Sequence, residues 1–336
     1  MTTALHIDWL ALQYEGVPRD CFPFKVKKLS YGSKEFKELY EITYYDRPWA
    51  SLSTQPALPS LPGNFYLLKI SNDFCYDTNL CWQLESWKEG TKSKYLGVSR
   101  VDLCLDFNDF DGEIRPAELI RMFGGGEIDS LSKMKGQVFR GKDASEPYES
   151  MSLGSRTSNV RVYLYNKTKE MQDNVMKPWI IESDKRAGLD VARDIWRLEI
   201  SLKSQALKYV DKCTGEEFTL DYDRLCNQER LKKIMGGLVD KYFKFIPSSC
   251  AKNRYKNKVI ELLPLSGYVL KTVNVRTFED SSRSDRIFIK KFLMESLNSP
   301  EIDEQDRWHL ASWIYHWAKS RNLESYLLSL KKELNL

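Results

Sequence analysis

Three segments hold residue types that could handle phosphate chemistry. Side chains along a strand alternate between its two faces. In 100–107 (RVDLCLDF), Val101, Leu103, Leu105 and Phe107 alternate with Arg100, Asp102, Cys104 and Asp106. In 160–167 (VRVYLYNK), Val160, Val162 and Leu164 alternate with Arg161, Tyr163, Tyr165 and Lys167. In 196–203 (WRLEISLK), Trp196, Leu198, Ile200 and Leu202 alternate with Arg197, Glu199, Ser201 and Lys203. If the three share a sheet, helices cover the apolar face and the other face collects the ionic groups. Three carboxylates without clustered histidine suit a hard, oxygen-coordinated cation, Mg²⁺ or Mn²⁺. A tyrosine hydroxyl beside such a cation, Arg197 and Lys167 is a candidate nucleophile toward phosphorus, with the positive charges favouring the phenolate. The same alternation also suits an antiparallel sheet with one solvated face, where charged residues are routine.

In that order and spacing, SRVDLCLDF, GSRTSNVRVYLYNKTKE and WRLEISLK resemble the replication initiation factor family. That family includes initiators of rolling-circle plasmids and filamentous phages and relaxases of conjugative elements. The resemblance covers about residues 95–205, and NRYKNKVIELLP at 253–264 more loosely. It implies a sequence-specific enzyme that nicks and joins DNA. The tyrosine of the Tyr-Asn-Lys segment, here Tyr165, would become joined to a 5′-phosphate and leave a free 3′-OH. Asp102, Asp106 and Glu199 match the family's acidic metal-binding positions. The implied partner is origin DNA, single-stranded or hairpin at the nick, with a host helicase and a second copy of the chain as further partners considered. Tyr163 points the same way as Tyr165 and stays open as an alternative nucleophile. Two other classes compete: a non-catalytic DNA-binding regulator with the same fold, and a metal-dependent nuclease that uses water.

Other motifs narrow the field. The histidines are His6, His309 and His316, with no His-x-His pair, which excludes a metal held by paired histidines. Gly124-Gly125-Gly126 has no Gly-Lys-Ser/Thr after it, so unwinding would need a partner. Gly154-Ser-Arg-Thr-Ser-Asn159 reads as a hairpin loop whose hydroxyls and Arg156 could hold a DNA phosphate, with Arg161 next to it. Net charge is only +4, but 241–258 has six basic residues and no acidic one; Lys252, Arg254, Lys256 and Lys258 are its candidate phosphate contacts.

The elements that must position these groups follow from pattern. Residues 6–14, 65–71, 99–107, 160–167 and 195–203 read as strands. Helices are expected at 79–90 and at 115–123, where Pro116 suits a first turn. The prolines of 47–63 mark a loop. After Lys203 helices are expected at about 204–212, 222–243, 284–296, 303–320 and 323–334. The reading is an α+β fold, a mostly antiparallel sheet with helices on one face, followed by a helical C-terminal region. A catalytic domain would span 1–212, and 213–336 would contact DNA or a partner. Seven cysteines without Cys-x-x-Cys argue against structural zinc and a disulfide framework and favour a reducing cytoplasm. The chain has no apolar run of membrane-spanning length and no signal-like start, so no membrane partner is expected.

Overall fold

The fold is described from a computed structural model over residues 2–57, 61–132, 134–139, 149–203, 208–211, 217–248, 258–265, 270–272, 289, 303–320, 323, 326–328 and 330. Five strands open the chain: β1 (Ala4–Glu15), β2 (Phe24–Lys28), β3 (Phe36–Tyr44), β4 (Arg47–Pro56) and β5 (Phe65–Ile70). Helices α1 (Asn72–Cys75) and α2 (Leu80–Thr91) lead to the long strand β6 (Lys94–Phe107). Then come α3 (Pro116–Gly124), β7 (Ile128–Ser130), β8 (Gly136–Phe139), β9 (Ser150–Leu153), β10 (Val160–Asn166), α4 (Lys167–Asp173), α5 (Pro178–Arg186) and β11 (Trp196–Lys203). Ten of these strands form one antiparallel sheet in the order β2-β3-β4-β5-β1-β6-β11-β10-β9-β8. The three motif strands are therefore direct neighbours at its centre.

Two expectations are corrected here. The prolines of 47–63 suggest a loop, yet β4 runs through the first part, because Pro48 and Pro56 sit at its two ends where no central ladder bond is lost. Residues 204–212 are expected to be helical, yet Lys208–Asp211 forms strand β12, pairing with β13 (Glu217–Thr219) and β14 (Leu270–Thr272). Tyr209 and Val210 suit a strand, and that preference prevails once two partners flank them.

The apolar alternation forms the core as expected: Val101, Leu103, Leu198, Ile200, Leu202, Val162 and Leu164 are all buried. Helices α6 (Tyr222–Cys226) and α7 (Gln228–Tyr242) add Leu225, Leu231, Ile234, Met235 and Leu238 to the same core. Consequently the compact division falls between Met1–Thr272 and Val273–Leu336 rather than near 213. The second unit has its own small core of Ile289, Ile314, Ala318, Leu323, Leu327 and Leu330, built around the helix Glu304–Ser320. The polar face of the sheet is not fully open either. His6 contacts Ser183 and Asp184 of α5, Tyr76 just after α1 bonds Asp8, and Trp179 of α5 bonds Asn72 of α1.

A disulfide joins Cys81 of α2 to Cys226 of α6, with Cα atoms 5.9 Å apart across 145 residues of chain. This corrects the expectation of no disulfide, because two cysteines far apart in sequence meet only once the helices pack. None of the helices described is long and apolar enough to cross a membrane. Mass spectrometry of an unreduced digest should recover the Cys81–Cys226 cross-linked peptide. Cys226→Ser should lower unfolding free energy by about 2–5 kcal/mol in a urea titration, through the restored freedom of the unfolded chain.

Candidate active site

Register places the polar side chains in rows across the sheet. Asp106 of β6 faces Arg197 of β11, which faces Tyr165 of β10. One step along, Cys104 faces Glu199, which faces Tyr163. The next row is Asp102, Ser201 and Arg161. The sequence-derived groups thus share one face.

Tyr165 stands at the point where strand becomes helix. Asn166 ends β10 and its side chain accepts from the Lys169 amide, so it caps α4, whose first residue is Lys167. Asn166 also donates to Asp194, and the Lys167 amide donates to the Ile195 carbonyl at 2.7 Å. The Tyr-Asn-Lys sequence is in this way a structural hinge that fixes the tyrosine. The Tyr165 hydroxyl donates to Glu199 Oε2 at 3.0 Å. The buried Lys167 ammonium lies 5.7 Å from the centre of the Tyr165 ring and pairs with Glu170 at 2.6 Å.

A cleft of about 400 Å³ opens over this pair, lined by Arg161, Tyr163, Tyr165, Glu199, Lys169 and Asn174 among others. A second cleft of about 250 Å³ shares Arg161, Tyr163 and Glu199 with it and adds Arg100, Arg156 and Lys203. Arg161 lies 4.4 Å from the Tyr163 ring centre, and its buried Nε has no hydrogen-bond partner. Arg156 is exposed on the β9–β10 loop, where its carbonyl accepts from Lys203 Nζ at 3.0 Å. That loop turns at Gly154, whose φ of +88° leaves no room for a Cβ against the Val160 carbonyl. Lys258 is exposed, while Lys252, Arg254 and Lys256 lie outside the described residues.

The carboxylates are distributed differently from the expected trio. Asp106, fully buried, accepts both arms of the Arg197 guanidinium at 2.7 and 2.6 Å. Asp102 accepts from both arms of Arg100 at 3.0 and 2.6 Å. Asp102, Asp106 and Glu199 therefore do not form one ligand cluster: Asp106 and Asp102 are turned to two different arginines. Among the described residues the ligand atoms that lie within 4.8 Å of one another belong to Asp8, Cys104 and Glu199, and to His6, Asp106 and Asp184.

Sequence reasoning misses Asp8. It is the extra residue of a bulge in β1, where Ile7 pairs Leu103 and Trp9 pairs Asp102. Asp8 accepts from Arg197 Nη1 at 2.7 Å and from the Tyr76 hydroxyl at 2.6 Å. The one signal available is His6 and Asp8 two apart in a strand, hence on one face until the bulge.

Protonation follows from these interactions. Burial works against the Asp8 charge, but Arg197, the Tyr76 hydroxyl and Lys167 hold its carboxyl well below the usual range. Burial and the neighbouring charges of Asp102 and Asp8 push Glu199 up to about 7. Burial, then Glu199, raises the Tyr165 hydroxyl well above its usual value, so it is a neutral phenol. That corrects the expected phenolate: the nearest charge is a carboxylate, not a cation. Burial keeps the Cys104 thiol protonated and makes it a poor ligand for a hard cation. Of Asp8, Cys104 and Glu199, the two carboxylates are the donor type that suits Mg²⁺ or Mn²⁺, and Asp8 Oδ1 is at the same time engaged by Arg197 and the Tyr76 hydroxyl.

No protein-family model matches the sequence, and no curated protein does. Among solved structures, the chain is similar to the rolling circle replication initiator protein from Geobacillus stearothermophilus, with a TM-score of 0.45 and 15% identity over 77% of this chain and 92% of that one. A likeness at that level does not establish a shared family.

Two outcomes follow from the buried charges. Arg197→Met leaves Asp106 and Asp8 without their cation and should cost about 3–5 kcal/mol in chemical denaturation. For Glu199 the unfolded chain releases its proton near the ordinary 4.5 and the folded chain near 7. The folded state binds more protons between those values, so this group makes stability fall as pH rises through that window. Glu199→Gln should be more stable than wild type above about pH 7, with the difference fading toward 4.5. Urea melts across that range test the sign.

Proposed function

We propose that this protein cuts and rejoins a DNA strand through Tyr165, as an initiator of rolling-circle replication does. The observation that carries this reading is the Tyr165 hydroxyl donating to Glu199 at 3.0 Å in a cleft lined by Arg161 and Tyr163. The sequence resemblance of the three motif strands points the same way.

In this reading a phosphodiester enters the cleft and the Tyr165 oxygen attacks phosphorus. The phenol proton passes to Glu199, whose affinity for protons near neutrality suits a general base. A bond forms between Tyr165 and the phosphate, which stays on the 5′ end of the downstream segment, as the bond to the 3′-oxygen breaks, and Glu199 passes the proton through solvent to that oxygen. In the reverse step the 3′-OH attacks the adduct, its proton goes to Glu199 through solvent, and Glu199 returns it to the Tyr165 oxygen as the strand is resealed. Arg161, which lines the cleft, stabilises negative charge on the phosphoryl oxygens, whereas Lys167 is buried and paired with Glu170 and does not reach the substrate. Arg197 holds Asp8 and Asp106 in place and acts by positioning rather than by touching the substrate. Asp8 is the residue that would hold Mg²⁺ or Mn²⁺ together with the substrate phosphate, leaving Glu199 free as the base; the ion would supply charge neutralisation at phosphate. Arg156 and Lys258, with Lys252, Arg254 and Lys256, are proposed contacts to the DNA backbone.

Tyr163 is the rival nucleophile, but the hydrogen bond to a base belongs to Tyr165. Tyr165→Phe should abolish the covalent protein–DNA adduct on denaturing gels, whereas Tyr163→Phe should retain it. Glu199→Gln should slow adduct formation by roughly 10²–10⁴-fold, the usual contribution of a general base. EDTA should stop the reaction and Mn²⁺ restore it. An adduct that forms on Tyr165→Phe but not on Tyr163→Phe would reverse the assignment, and cleavage without any adduct would make water the nucleophile.

A further inference from the structure

The geometry points to a second feature of the same sheet face: a track for single-stranded nucleic acid that leaves the tyrosine cleft and crosses β11, β6 and β1 to Lys69 on β5. This rests on the nicking reading and assigns the path of the strand beyond the scissile phosphate.

The first support is register. Lys203 of β11 faces Arg100 of β6, which faces Ala11 of β1, which faces Lys69 of β5. Directly opposed residues share a face, so these cations lie in one row on the face that carries Tyr165. The small Ala11 lies between Arg100 and Lys69 and leaves the row unobstructed.

Trp9 supplies the second support. Its indole, half-buried next to the row, has Lys69 Nζ at 3.6 Å and the Arg100 guanidinium at 4.7 Å from the ring centre. Two cations gathered over one aromatic ring are held in place by its electron-rich faces. Lys69 makes no ion pair among the described residues, and burial and the charge of Arg100 lower its proton affinity. Arg100 has Asp102 as its counter-ion, so the charges of the row left for an anionic ligand are those of Lys69 and Lys203, neither of which makes an ion pair among the described residues.

Continuity is the third support. The cleft of about 250 Å³ is lined by Arg100, Arg156, Arg161 and Lys203 against the single carboxylate of Glu199, and it adjoins the Tyr165 cleft. A polyanion leaving Tyr165 thus meets Arg161, Lys203, Arg100 and Lys69 in turn. A single strand is favoured over duplex because rings that could stack on unpaired bases stand at both ends of the path: half-buried Trp9 against Lys69 and Arg100, and exposed Phe139 of β8, stacked on Tyr163 at 6.0 Å where the cleft begins.

The test uses the full chain and a fluorescein-labelled oligothymidylate, with affinity measured by anisotropy across a salt series. Lys69→Gln/Lys203→Gln should bind more weakly, and its plot of log affinity against log salt should be shallower by about 0.7 for each phosphate that is no longer neutralised. Lys69→Arg/Lys203→Arg keeps both charges and should restore the wild-type slope, which separates charge removal from misfolding. An unchanged slope in the Gln variant overturns the track. Equal weakening toward an oligothymidylate–oligodeoxyadenylate duplex overturns the single-strand assignment. The adduct assay on wild type reads the nicking proposal separately: a shallower slope without any adduct keeps the track and removes the tyrosine chemistry, while an adduct with an unchanged slope does the reverse.

Discussion

Arg197 is fully buried, and every donor on its guanidinium has to be satisfied where water does not reach. Two donors go to Asp106 as a planar fork and a third to Asp8, so two acids from neighbouring elements are tied to one strand. A buried ion pair of this kind adds little net stability over an apolar replacement, because desolvation offsets most of the attraction. What it supplies is position. The fork fixes β11 against β6 and pulls the bulged residue of β1 to the same spot, and the rest of the site is arranged around that anchor.

With Asp106 and Asp8 engaged by Arg197, and Asp102 engaged by Arg100, Glu199 is the carboxylate near Tyr165 without a strong cationic partner. Its environment is negative and partly desolvated, which raises its proton affinity to about neutral. One row away, the same environment keeps Tyr165 protonated until a base takes the proton. Acids placed two residues apart on a sheet are thereby pushed into different roles: some are locked as counter-ions and one is left able to exchange a proton.

Helices α1 and α5 close the end of the polar face near His6, Asp106 and Asp184, whereas the end near Arg161 and Tyr163 stays open. The sheet therefore has three environments: an apolar face packed on α6 and α7, a buried ionic centre, and an open cationic margin. The Tyr165 cleft opens on the last of these. Ten strands in one antiparallel sheet make this possible, since a wide face can be part core and part binding surface.

Much of this was legible in the chain itself. Alternation alone determined which side chains of 100–107, 160–167 and 196–203 share a face, because the period of two is a property of the extended backbone. The strand expected over 160–167, by contrast, ends at Asn166, whose side chain caps α4 and turns Lys167 into a helix residue. Other features required the third dimension. Whether a carboxylate is a ligand, a counter-ion or a base depends on which arginine reaches it, and Arg100 and Arg197 select Asp102 and Asp106 only through strand pairing and burial. Asp8 enters the site through a bulge, a one-residue insertion that period-two patterning cannot show. Cys81 and Cys226 meet through helix packing across 145 residues of chain, and β4 and β12 became strands because partners on both sides outweighed their local signals. Local periodicity therefore determined which groups could act. Long-range packing, which sets burial and charge pairing, decided which of them are free to act.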